Sequence, residues 1–447
     1  MYKILIISLI TSLLFSSCHK DWTSQLTSAQ NRKPYFEPIP YGMNFIKQGS
    51  INIGPSEEEV DRSNTPVKTV SVPSFWMDDT EITNNEYRQF VYWVRDSIAR
   101  QLLSETIPEF LISEGRKGAI LENPHLNWLE PIEWKNPDYQ SALEEIYIPE
   151  AERFFNKREI DSRKLKFEYY WIDYRQAAKR ANSYNFETQS YGGNVVDASG
   201  KEGPTQNRSS FIMHETTPVY PDTLVWVRDY TFSYNEPLTE KYFSHVAYDN
   251  YPVVGVTWAQ AKAFCQWRTK QLNGFQEMIK NPGVMDYRLP SEVEWEYAAR
   301  GGHQMTLYPW GSYYSRNNEG SFVANFKPMR GNYVSDSQSN VTTMKVANFL
   351  PNSYGLYDMA GNVAEWTSNA YDESGYQIMS DFSPDFQYNA SPDDPPAMKR
   401  KVIRGGSWKD IAYYVQVSTR SFEYQDSAKS YVGFRCVRST FKPKYYE

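Results

Sequence analysis

Tyr354-Gly-Leu-Tyr-Asp-Met-Ala-Gly-Asn-Val-Ala-Glu-Trp366 is the stretch whose reading decides the fold. Gly361-Asn362 marks a tight turn, since both residue types tolerate left-handed backbone. Asp358 and Glu365 flank it. Carboxylates so placed can accept hydrogen bonds from the free amides of such a turn.

Working outward, the regular elements announce themselves by their starts. Phe75-Trp-Met-Asp78 reads as a strand leading into a helix. Thr83-Asn-Asn-Glu86 is a capping box, and Tyr87, Phe90, Val91, Val94 and Ile98 follow on one helical face. Thr257-Trp-Ala-Gln260 opens a second helix, expected to stop at Gly274. Ser291-Glu-Val-Glu294 opens a third, which carries Trp295, Ala298 and Ala299 on one side and ends at Gly301-Gly302. Between these elements the chain is irregular, without an internal repeat.

Residues 104 to about 245 stand apart as an insertion between the first and second helices. Pro149–Arg163 and Ile172–Ser183 are charged and helix-capable, whereas Thr223–Tyr234 alternates in a strand-like way. Tyr376–Lys401, with Pro384, Pro392, Pro395 and Pro396, reads as a second long surface loop.

The first residues are an address. Met1–Ser17 has one cation, Lys3, and is apolar from Ile4 to Phe15, which reads as a secretory signal. Leu14-Phe-Ser-Ser-Cys18 resembles a bacterial lipoprotein box, with Cys18 lipidated as the first mature residue; the alternative is plain cleavage near Ser17. Residues 18–35 read as a lipidated tether, and residues 36–447 as the body. No later segment is apolar over a membrane-spanning length.

The chain has 447 residues, enough for one large domain or two smaller ones. A net charge of −7 gives no nucleic-acid footprint. Aromatics make up 16%, with 35 Tyr and 13 Trp, which suits either contact surfaces or an aromatic core. With Cys18 carrying lipid, Cys265 and Cys436 remain in an oxidising compartment, where they either pair or stay as buried thiols.

Seven segments recur in the order of the formylglycine-generating enzyme (sulfatase-modifying factor) family, which the chain resembles over roughly Tyr41–Ser439. They are Phe75-Trp-Met-Asp78 with Glu81-Ile-Thr-Asn84; Tyr251-Pro-Val-Val-Gly-Val-Thr-Trp258 with Ala263-Phe-Cys265; Arg288-Leu-Pro-Ser-Glu-Val-Glu-Trp-Glu-Tyr-Ala-Ala-Arg-Gly-Gly302; Tyr308-Pro-Trp-Gly311; the 354–366 stretch; Arg404-Gly-Gly-Ser-Trp408; and Gly433-Phe-Arg-Cys436. The resemblance implies an α+β, C-type-lectin-like fold with large insertions and much irregular structure.

The family's enzymes use two cysteines shortly after the Gly-Gly-Ser-aromatic motif to bind copper. A cuprous ion requires soft thiolates. Asp410 and Val415 fall at those positions, so no copper and no catalysis are expected. The related sulfoxide-synthase branch uses clustered histidines, whereas His19, His125, His214, His245 and His303 are scattered. The resemblance also implies a Cys265–Cys436 disulfide and structural calcium. Its ligands would be the side chains of Asp358 and Glu365 with the carbonyls of Gly361 and Val363, an oxygen-only set that suits a hard cation. A second, weaker set involves Asn325 and Asp336.

A narrower resemblance bears on function. Arg158-Glu-Ile-Asp-Ser-Arg-Lys-Leu165, Tyr169-Tyr-Trp-Ile-Asp-Tyr-Arg175, Tyr220-Pro-Asp-Thr-Leu-Val-Trp-Val-Arg-Asp229, Ser233-Tyr-Asn-Glu-Pro237, Tyr248-Asp-Asn-Tyr-Pro-Val-Val-Gly255 and Lys327-Pro-Met-Arg-Gly-Asn-Tyr333 are similar to the GldK/PorK lipoproteins. This implies a structural subunit of type IX secretion and gliding motility in Bacteroidetes. It would be anchored in the outer membrane facing the periplasm, and would self-associate into a large ring with a GldN/PorN-type partner and other components of that machinery. The alternatives are a lectin-like module holding glycan or peptide in the former active-site cleft, and new chemistry around Ser407, Asp410 and Arg435.

Overall fold

The computed structural model describes residues 37–55, 66–114, 119–229, 236–328 and 342–440. The leader, Cys18, the tether up to residue 36 and Asp336 lie outside the described residues. Ile39–Phe441 forms one compact body of mixed helix and strand. Among the described residues no helix is long and apolar enough to cross a membrane.

Two four-stranded sheets organise it. One has the order Met43–Ile46, Phe75–Asp78, Val437–Ser439, Tyr287–Arg288, all antiparallel, so early and late segments of the chain meet at its centre. The other has the order Ser421–Tyr424, Arg400–Arg404, Ala364–Ala370, Val432–Gly433, the last pair parallel. The signature runs directly into Ala364–Ala370, every residue of which is buried. Glu365 thereby sits in register with Arg404 on one side and Gly433 on the other.

All three capping boxes form. Asn84–Ser104, Trp258–Met278 and Glu292–Ala299 each begin with a hydroxyl accepting from the third helical amide while the third side chain returns to the cap. The first two helices pack aromatic faces together, with Tyr87 stacked on Phe264 at 5.6 Å and Phe90 edge-on to the same ring. The second helix runs past the expected stop to Met278. Gly274 keeps ordinary helical backbone and faces open space, so nothing there ends the helix.

The Glu292–Ala299 helix is buried all round, so its charges must be paired. Glu296 binds Arg300 at 2.6 Å and also Arg404, and Glu292 binds Arg420 at 2.6 Å. The Tyr376 hydroxyl donates to Glu296 at 3.1 Å. Tyr376, read as the start of a surface loop, is buried; Gly375–Ile378 is a helical turn, and Lys401 lies in a core strand.

The insertion is part of the body. Phe110, Leu143, Ile146, Leu165, Phe167 and Tyr169 join the core built on the two long helices. Its secondary structure differs from expectation. Pro149–Arg163 breaks into single turns, and Ile172–Ser183 holds the short Tyr174–Ala178 helix followed by a single turn, Arg180–Asn182. The strand-like Thr223–Tyr234 instead holds the Val225–Asp229 helix, whose Val225 and Trp226 are buried. Its largest regular unit is a ribbon, Lys166–Ile172 paired antiparallel with Ile212–Pro218. Glu215 anchors this ribbon, accepting from Tyr169 at 2.5 Å, Trp171 at 2.9 Å and Lys262 at 2.9 Å. Burial opposes that charge, but Lys262 and the hydroxyl outweigh it and hold the carboxyl below its ordinary range.

Candidate functional site

The signature folds into a turn that needs its residue types. Asp358, Gly361 and Asn362 all have positive φ, and a Cβ at Gly361 would lie 2.3 Å from the Asn325 carbonyl oxygen. The turn's amides are taken by Glu81, which accepts from Val363 N at 3.0 Å and from the Asn362 side chain at 2.7 Å. Asn325 accepts from Asn362 N at 2.8 Å through its carbonyl. Neither Asp358 nor Glu365 holds these amides, contrary to that reading of the sequence. Asp358 accepts from Ala347 N at 2.7 Å, and Glu365 faces Arg435.

Arg435 is fully buried and binds Glu365 through Nε and a terminal nitrogen at 2.6–2.9 Å, and it also donates to the carbonyls of Asp78 and Tyr357. Trp295 Nε1 donates to the same carboxylate at 2.8 Å. Three carboxylates thus gather around one guanidinium. Burial, then Asp358 and Glu365, push Glu81 well above its ordinary range. Burial likewise raises Asp358 to about 6. In charge, this set fits an added hard cation. In coordination, both Glu365 oxygens accept from Arg435 and one also from Trp295. Among the described residues, no three His, Cys, Asp or Glu side chains form a metal-holding group.

The Gly-Gly-Ser-Trp loop is equally constrained. Gly406 has φ 62°, and a Cβ there would lie 2.5 Å from the Tyr414 carbonyl oxygen. Ser407 donates to Asp410 at 2.6 Å, and burial raises the Asp410 carboxyl. Val415 is packed with Tyr308, Phe322, Phe326 and Ala360. One position expected of a metal thiolate is therefore core, and the other is a hydrogen-bonded acid. The insertion covers this loop: Trp226 stacks on Trp408 at 5.9 Å, and Asp229 pairs with Lys409 and Ser430.

Ser407 and Asp410 meet, but Arg435 is committed to Glu365, so the three do not form one constellation. The described histidines are engaged elsewhere: His214 with Glu168, His303 with Ser353, and His245 as a cap. His125 lies in the exposed Ile120–Leu126 strand. Among the described residues Asp410 is the one acid that Ser407 meets, and no histidine or lysine side chain is hydrogen-bonded to Ser407. Cys265 and Cys436 come together as buried thiols with Sγ atoms 3.5 Å apart.

Glu81 is the residue the sequence reading missed as a site member. Its signal was the Glu81-Ile-Thr-Asn84 segment, which puts an acid two residues before the Thr83 cap, but the neighbouring Asp78 and Asp79 gave no reason to single it out.

The sulfatase-modifying factor enzyme 1-like domain matches residues 32–440. Over 199 residues the chain is 33% identical to the inactive C-alpha-formylglycine-generating enzyme 2 of Mus musculus, covering 43% of this chain and 51% of that protein. It is 35% identical over 194 residues to the formylglycine-generating enzyme of Mus musculus, covering 42% and 44%. The chain thus spans about half the length of these curated relatives. The solved structure of PvdO from Pseudomonas aeruginosa is 15% identical, with a TM-score of 0.44 over 89% of this chain and 94% of that one. With its motifs in order and its domain matched from end to end of the body, the chain belongs to the sulfatase-modifying factor enzyme 1-like family.

Proposed function

We propose that this chain is a non-catalytic structural lipoprotein of the GldK/PorK kind, lipidated at Cys18. On this reading it is held in the outer membrane facing the periplasm, and it self-associates into a ring with a GldN/PorN-type partner in type IX secretion and gliding motility. The observation that carries the non-catalytic part is the Gly-Gly-Ser-Trp loop. Asp410 and buried Val415 stand where thiolates would be needed, and the insertion's Trp226 and Asp229 lie against the loop. The mouse relative named as an inactive enzyme is a precedent for this domain without catalysis. The narrower fold type we propose is C-type-lectin-like, consistent with early and late strands pairing in one sheet.

A hard cation beside Asp358 would offset the excess carboxylate charge there, and Cys265 and Cys436 would form a disulfide in an oxidising compartment. A chelator that lowers the melting temperature supports the first; an unchanged one refutes it. Thiol titration of denatured, unreduced protein tests the second.

A second reading has its own observation. Tyr413 and Tyr414 are exposed on the loop that follows Asp410, where aromatic faces suit a sugar ring or peptide. Purified body on a glycan array separates the readings. Specific glycan binding by a monomer favours the second; no glycan binding by a protein that assembles favours the first.

A further inference from the structure

The ribbon of the insertion has an open edge. At one end Leu165 O accepts from Val219 N, and at the other Asp173 N donates to Phe211 O, both at 2.9 Å. Hydrogen-bonded pairs alternate along an antiparallel ladder, so Phe167, Tyr169 and Trp171 bond inward to Thr217, Glu215 and Met213. Lys166, Glu168, Tyr170 and Ile172 therefore turn their backbone groups to the outside. Among the described residues, no backbone hydrogen bond reaches those of Glu168, Tyr170 or Ile172.

The same residues point their side chains to solvent. Tyr170 is 64% exposed, Ile172 46% and Ile212, opposite it, 47%. Tyr170 stacks on His214 at 4.6 Å, and His214 meets Glu168. An uncovered edge beneath apolar side chains is a template for another strand. The opposite edge is poorer: it ends in Pro218, which cannot donate and whose carbonyl is taken by Gln260.

We infer that the Lys166–Ile172 edge pairs with the same edge of a second copy, antiparallel about Tyr170. A two-fold there sets Tyr170 against Tyr170 and Glu168 against Ile172, so no like charges face each other and both sets of outward amides are satisfied. The contact is isologous and joins two ribbons into one four-stranded sheet. The inference rests on the self-association proposed above and names its surface.

Residue 170 would face itself across a hydrogen-bonded pair with Cα atoms about 5.5 Å apart, within disulfide reach. Full-length Tyr170→Cys and Ile172→Cys proteins in detergent, with wild type as the background, are oxidised mildly and run without reductant. The Tyr170→Cys protein is expected to give more than ten-fold more covalent dimer than the Ile172→Cys protein. Equal or absent cross-linking, in variants that melt like wild type, overturns the inference. A second variant guards against local misfolding. Tyr170→Pro removes an outward amide and spares the internal ladder, so it is expected to abolish the two-fold contact, read by sedimentation. A Tyr170→Pro protein that still dimerises also overturns it. If rings persist without cross-linking at 170, this surface is wrong and self-association stands; if wild type is monomeric throughout, both fall.

Discussion

The signature region and the insertion are held to the same body by different means. Around Arg435 and the Glu292–Ala299 helix, buried charges are held mostly by ion pairs: Glu365 with Arg435, Glu296 with Arg300 and Arg404, Glu292 with Arg420. Left-handed residues and close glycine contacts leave the backbone few alternatives. The insertion attaches through aromatic packing and polar anchors that include Glu215, Asp229 and the Gln260 amide on the Pro218 and Tyr220 carbonyls, while its outer ribbon and hairpins keep exposed faces. The difference teaches that a substitution in the signature region strands a buried charge or strains the backbone, whereas the insertion keeps much of its side-chain surface exposed.

The contrast can be broken most severely at Arg435. Arg435→Leu strands the buried Glu365, Glu81 and Asp358 carboxylates and is expected to cost about 3–5 kcal/mol by denaturant unfolding. A loss below about 1 kcal/mol would show that the carboxylates find water or another cation. Glu215→Ala leaves Tyr169 and Trp171 without their acceptor and Lys262 without its partner; a loss of about 1–3 kcal/mol is expected. Amide exchange should rise in 166–172 and 212–218 before it rises in Glu292–Ala299. A uniform rise would make the ribbon as integral as the core.

Lys401 sharpens the comparison with pH. It is fully buried, lies 4.0 Å over the Trp258 ring, and has no carboxylate partner among the described ion pairs. Burial first, then Lys262, lower its pKa from 10.5 to about 7. Between those values the unfolded chain holds a proton that the folded chain has released, so stability rises with pH there. The limiting slope is about 1.4 kcal/mol per pH unit. Lys401→Met should be more stable than wild type at pH 7, with the advantage shrinking toward pH 9 in thermal melts. An advantage independent of pH would mean the lysine stays charged. The smallest effect is expected at Asp410. Asp410→Ala loses one hydrogen bond, to Ser407, and should change stability by about 1 kcal/mol or less and leave assembly intact.

Much of the core was legible in sequence because its signals are local. A hydroxyl and a carboxylate or amide three residues apart define a helix start whatever lies beyond, and all three starts formed. The signature's glycine and asparagine likewise predicted left-handed turns. Helix ends were harder. Gly301 and Gly302 terminate a helix because they adopt positive φ, whereas Gly274 does not and the helix continues.

The insertion was misread where tertiary contacts override propensity. Pro149–Arg163 has helix-forming charges, but Arg153 pairs back to Glu144 and Asp161 caps only the Ser162–Lys164 turn, so single turns form instead. Val225–Asp229 coils because Trp226 packs on Trp408, a partner no local pattern reveals. The site was half legible for the same reason: Asp358 and Glu365 were found by their motif, but their commitments to Ala347 and Arg435 depend on distant segments.

On the proposed function, this domain serves assembly. Tagged full-length protein, purified from detergent-solubilised outer membrane, should elute as a megadalton particle with a second stoichiometric protein and appear as rings by electron microscopy. A lone monomer, stable at micromolar concentration and without a partner, would contradict it.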